Sequence, residues 1–142
     1  MKFPYRRYSI QPSLASIGRT TIARPVIPVK FSGPRRMVDS YALLDTGADE
    51  SYITSVLAKQ LGVTPISRQP NIVESASGDL SVLYGEVIVQ VGRGPEIFSR
   101  QIVVGIVDEP WSEAILGNIG FLEYFDALFS FPDRYVMLTP RN

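Results

Sequence analysis

The sequence predicts an all-β domain with one or two short helices. Three observations carry that prediction. Short runs alternate between apolar and polar residues; in Glu86 to Val91, Val87, Val89 and Val91 fall on one face and Glu86, Ile88 and Gln90 on the other. Turn-forming clusters separate the runs, as at Ser32-Gly33-Pro34-Arg35 and Gly92-Arg93-Gly94-Pro95. Helical spacing occurs only twice, over 56–61 and 118–125.

Taken in order, residues 1–23 form a basic segment of weak pattern, read as an arm or an edge strand ahead of a domain spanning 24–142. Val26 to Phe31 is a strand whose Pro28 requires an edge or a bend, because proline cannot donate to a ladder. Met37 to Leu44 is its hairpin partner. Thr54 or Ser55 caps a helix from Val56 to Leu61, with Val56, Leu57 and Leu61 as its apolar face and Gly62 as its stop. Ile72 to Tyr84 reads as a hairpin tipped by Ala76-Ser77-Gly78-Asp79. Ile97 to Val107 follows as a strand, with Ile102, Val103 and Val104 buried on both faces. Trp111 is a packing residue in the next loop. Ala114 to Gly117 is a short apolar strand, Asn118 to Phe125 a short helix, and Asp126 to Leu138 a closing hairpin. Ala42-Leu43-Leu44-Asp45 and Ala114-Ile115-Leu116-Gly117 echo each other, each leading through a loop to a helix.

Composition narrows the chemistry. The 142 residues suit one domain. There is no cysteine and no histidine, so a Ser-His or Cys-His catalytic pair cannot be built. Zinc, copper and haem lose their usual ligands, and neither metal nor cofactor is expected. Charge is balanced at 14 bases and 14 acids but uneven along the chain, since the first acid is Asp39. The basic leader reads as an arm that is solvated or docked on an acidic body, and nucleic-acid binding is not expected. No apolar run reaches the ~20 residues of a membrane span and no signal peptide is visible, so the expected location is the cytoplasm.

The chemistry concentrates in Tyr41-Ala-Leu-Leu-Asp-Thr-Gly-Ala-Asp-Glu-Ser-Tyr-Ile53. Apolar residues on both sides make this a strand, a tight loop and a second strand, with a carboxylate at a strand end. A charge in that position is costly unless something uses it. With Leu43-Leu44 before Asp45, Ala48-Asp49 after Gly47, and Ile115-Leu116-Gly117-Asn118 downstream, the chain resembles the retroviral-type (retropepsin-like) aspartic proteases from about Arg24 to Leu138.

The resemblance implies a retropepsin-like half-barrel carrying a single Asp-Thr-Gly lobe, and an aspartic endopeptidase acting on peptide or protein substrates. It implies Asp45, Thr46 and Gly47 as the catalytic triplet. It implies substrate contacts from Ala48 and Asp49, and from Ala76, Ser77 and Gly78 at the tip of a flap. One Asp-Thr-Gly per chain implies a homodimer, with the second carboxylate from a second copy. Val82, Ile88 and Ile119 are candidate pocket walls. In one departure, Asn118 stands where retroviral members place an arginine that pairs with the residue matching Asp49. The flap tip also lacks their glycine-rich run. The alternative is the same fold used as a non-catalytic peptide-binding or dimerisation module.

Overall fold

A computed structural model describes residues 1–142. Its centre is a seven-stranded sheet in the order β4-β5-β10-β6-β9-β8-β7. The strands are β4 (Val26–Ser32), β5 (Met37–Leu44), β6 (Tyr52–Thr54), β7 (Asn71–Ser75), β8 (Gly78–Arg93), β9 (Glu96–Val107) and β10 (Ala114–Leu116). β4 also pairs with β8, so six of these strands close on themselves and β7 stays outside the ring.

Alternation decides which side of each strand faces the interior. Ile27, Val29 and Phe31 point in from β4, and Val87, Val89 and Val91 from β8, all at 4% exposure or less. β8 meets β4 only at Lys30 to Ser32, which leaves Pro28 on a stretch with one neighbour, where a missing donor costs nothing. Ile102 and Val104 are buried on β9, but Val103 between them is half exposed. The expectation of burial on both faces fails there, because the outer face of this antiparallel pair is open to water.

A single α-helix, α1 (Ser55–Leu61), packs on the ring. The Thr54 side chain accepts from the Leu57 N–H, and Gly62 ends the helix in the left-handed region at φ 75°. Leu57, Ala58 and Leu61 are its buried face. Val56, expected there, is exposed, because it lies nearly opposite the centre of that arc at 100° per residue.

The second expected helix is also shorter. Residues 118–121 form turns, and only Leu122–Tyr124 makes a 3₁₀ turn. Gly120 has φ 90°, outside the helical region, so an α-helix starting at 118 cannot continue through it; the Asn118 and Ile119 N–H groups donate to the Ala48 and Asp49 carbonyls. Phe121, Leu122 and Phe125 are nonetheless all buried.

A smaller sheet has the order β1-β12-β11, from β1 (Lys2–Pro4), β12 (Tyr135–Pro140) and β11 (Phe125–Ser130). β2 (Arg6–Ser9) and β3 (Thr21–Arg24) form a two-stranded hairpin. Much of the segment read as an arm is therefore strand. It is tied to the body where the Tyr8 hydroxyl donates to Glu113 at 2.8 Å, and where the Arg6 guanidinium lies 3.7 Å over the Tyr41 ring. No helix is long and apolar enough to cross a membrane.

Candidate active site

The echo seen in the sequence is a structural pairing. β10 runs parallel to β5, with Ala114 beside Ala42, Ile115 beside Leu43 and Leu116 beside Leu44. Asp45 and Gly117 therefore leave the sheet side by side, and the Asp45 N–H donates to the Leu116 carbonyl at 3.1 Å.

The loop after Asp45 folds back on its carboxylate. Gly47 N–H donates to Asp45 Oδ1 at 2.9 Å, and Ala48 N–H to the Asp45 carbonyl at 3.2 Å. This is the short-range bonding that makes Asp a turn former. No hydrogen bond or ion pair within the chain engages Asp45 Oδ2, and the residue is only partly buried. The carboxylate is held by one oxygen and presents the other.

The loop after Gly117 braces it. Asn118 N–H donates to the Ala48 carbonyl at 2.9 Å and Ile119 N–H to the Asp49 carbonyl at 2.8 Å. The Asn118 side chain donates to the Thr46 carbonyl at 3.0 Å. The residue that departs from the retroviral pattern thus supports the Asp45 loop directly, and the Asp49 side chain stays exposed without an ion pair. Gly117 is required by space: a Cβ there would lie 2.1 Å from the Glu50 carbonyl oxygen and 2.6 Å from that of Ala48. Ser51, buried at 1% exposure, accepts from Gly117 N–H at 3.1 Å and donates to the Ile119 carbonyl at 3.2 Å. A buried hydroxyl without partners would be costly, and here both of its functions are used.

Asp45, Thr46, Gly47, Ala48 and Asp49 thus form one braced loop, with Thr46, Gly47 and Asp49 exposed. Ala76 and Ser77 form the two-residue turn of the β7–β8 hairpin, and Gly78 pairs with Ser75 at its end. No hydrogen bond joins that tip to the Asp45 loop. The candidate pocket walls separate. Val82 is fully buried against Val107, and Ile88 lies six residues further along β8, about 20 Å away. Only Ile119 adjoins the loop, exposed beside Asp49.

Sequence reasoning missed the group at the far end of the loop. Glu50 Oε2 accepts from the Tyr84 hydroxyl at 2.7 Å and the Tyr52 hydroxyl at 3.3 Å. Burial, followed by the charge and hydrogen bond of Glu50, pushes the Tyr52 phenol up to about 12. The Tyr84 phenol is raised by burial first and Glu50 second, against a lowering bond from Asn71. Trp111 packs edge-on to the Tyr52 ring at 6.5 Å, the packing role expected of it. The adjacent acids Asp49-Glu50 were the available signal, but nothing local shows that Tyr84 returns to them.

Residues 27–118 match the family described as aspartyl protease. The chain belongs to the aspartyl protease family. Among solved structures, the retropepsin-like aspartic protease from Rickettsia conorii is similar over 80% of this chain and 89% of its own, at 18% identity and a TM-score of 0.56. The fold is therefore that of the retropepsin-like aspartic proteases, as expected. EIAV protease complexed with the inhibitor HBY-793 is 22% identical over 67% of this chain and 82% of its own, with a TM-score of 0.49. No curated protein matches the chain.

Proposed function

We propose that this member of the aspartyl protease family is an endopeptidase whose active unit is a homodimer. The observation that carries the reading is the Asp45 carboxylate, fixed through Oδ1 by Gly47 and presenting Oδ2 from a loop braced by Gly117 to Ile119. The chain has one Asp-Thr-Gly, so the second carboxylate comes from Asp45 of a second copy across a two-fold axis. Two carboxylates about 3 Å apart cannot both ionise, and hold one proton between them.

One carboxylate then takes a proton from water as the water oxygen attacks the peptide carbonyl carbon. The other gives its proton to the carbonyl oxygen, forming a neutral gem-diol. Proton transfer to the nitrogen then breaks the C–N bond. The diol returns its proton and leaves a carboxylic acid and an amine. Thr46 is exposed with no side-chain partner in its own chain, and would meet the second copy's loop beneath the dyad. Gly47, Ala48 and Asp49 would bond the substrate main chain. Ala76, Ser77 and Gly78 would close over the peptide, as a mobile flap does.

The test is hydrolysis of a mixed peptide library by the wild-type protein and by Asp45→Asn, from acidic to neutral pH. Cleavage is expected to fall by at least about a thousandfold, since the substitution removes the proton-accepting group. Cleavage that persists in Asp45→Asn overturns the reading. Peptide binding without any cleavage by the wild type would establish the binding-module alternative.

A further inference from the structure

We propose that Tyr84, acting through the Glu50 carboxylate, is a positioning residue that joins the base of the β7–β8 hairpin to the Asp45 loop. The inference rests on the peptidase reading above and concerns how its two halves stay in register.

The loop and the hairpin come from distant parts of the sequence, and few bonds span them. Loop residues 46, 48 and 49 are bonded to the 117–119 segment, and Ser51 to the Gly105 N–H at 2.8 Å on β9. Only Glu50 reaches β8, the strand that continues upward into the hairpin. Tyr84 sits opposite Gly105, and Asn71, the first residue of β7, pairs with Val82. The bond therefore lies just below the point where the hairpin leaves the ring. Beyond it β7 pairs with β8 alone, and its other edge is open.

The geometry is built rather than incidental. Glu50 is partly buried and has no cationic partner, so neutral phenols supply the hydrogen bonds its carboxylate oxygen makes within the chain. A carboxylate removed from water needs such bonds, and bonds to a charged acceptor are stronger than neutral ones. Tyr52 fits here only because residue 105 is glycine; a Cβ there would lie 2.5 Å from its ring. Phenols ionise only near pH 10, so both are protonated donors at acidic and neutral pH, and burial and Glu50 raise them further. The joint thus holds the hairpin's base while the tip at Ala76 and Ser77 moves. Closing over a peptide then requires ordering only the part above the joint.

The test compares Tyr84→Phe, Glu50→Gln and Glu50→Ala with the wild type, using peptide kinetics and amide hydrogen exchange. Tyr84→Phe keeps the ring and removes one donor. KM is expected to rise about three- to tenfold with kcat within about twofold, the size of one lost hydrogen bond. Glu50→Gln, whose neutral amide oxygen still accepts but more weakly, should fall between the wild type and Glu50→Ala. Glu50→Ala, which also loses the Tyr52 bond, should raise KM at least as much as Tyr84→Phe, and the double variant should be no worse than Glu50→Ala alone. In Tyr84→Phe, amides of residues 46–51 and 71–84 should exchange faster together, with β11 and β12 unchanged. An unchanged KM, additive effects in the double variant, or unchanged exchange at those amides would overturn the proposal. If the wild type cleaves no peptide, the peptidase reading fails by itself, and the exchange data still decide the joint.

Discussion

Asp45 is held through Oδ1 by the Gly47 N–H, on a loop braced by residues 117–119. Its place at a strand end, its turn-forming neighbours and the downstream apolar-apolar-Gly could all be read along the chain. What could not be read was which groups close around it. Ser51 has no distinguishing local signal, yet it bonds both Gly117 and Ile119 across 66 and 68 residues of chain. Asn118 leaves Asp49 without an ion pair, as expected, and also braces the Thr46 carbonyl. Such roles depend on the parallel register of β5 and β10, which no single segment encodes. A prediction at this scale concerns Tyr52, whose phenol is raised to about 12 by burial and then by Glu50. The unfolded chain releases that proton near pH 10 and the folded chain near 12, so between those values the unfolded state binds fewer protons. The Tyr52 contribution to stability should be flat below about pH 10 and fall as pH rises toward 12. Urea denaturation across that range should show a shallower fall for Tyr52→Phe, with the remainder due to the other raised tyrosines. An identical slope in the variant would contradict the assignment.

Among the elements, those governed by local rules were read well. The Thr54 cap, the Gly62 stop and the inward Val87, Val89 and Val91 follow from capping and two-residue periodicity. Elements whose backbone groups are claimed from outside were not. Residues 118–121 have helical spacing, but Gly120 takes φ 90° in a segment bonded to the Asp45 loop, so the tertiary setting overrides the pattern. The second strand of the 72–84 hairpin and the strand of residues 86–91 are one continuous β8, because no turn interrupts them at Gly85. α1 offers a direct check on the local reading. Thr54→Ala removes the acceptor for Leu57 N–H and should lower stability by about 1 kcal/mol. Chemical denaturation measures it; Thr54→Ser should restore most of the loss.

For the whole molecule, the sequence indicated one domain but not how its ends are used. The basic leader contributes β1 to the sheet with β12 and β11, and β2 to the hairpin with β3. Its charges meet aromatic faces, as at Arg6 over Tyr41 and Lys2 4.1 Å from the centre of the Tyr135 ring. In the proposed homodimer, one chain would supply half of a catalytic pair. The most direct measurement is cleavage by wild-type protein refolded with a tenfold excess of Asp45→Asn. If each active site needs an Asp45 from two copies, random pairing leaves about one wild-type chain in eleven with a wild-type partner, and activity per wild-type chain should fall to about 9%. Activity per wild-type chain that stays at its unmixed value would mean that a single Asp45 suffices, and would contradict the account.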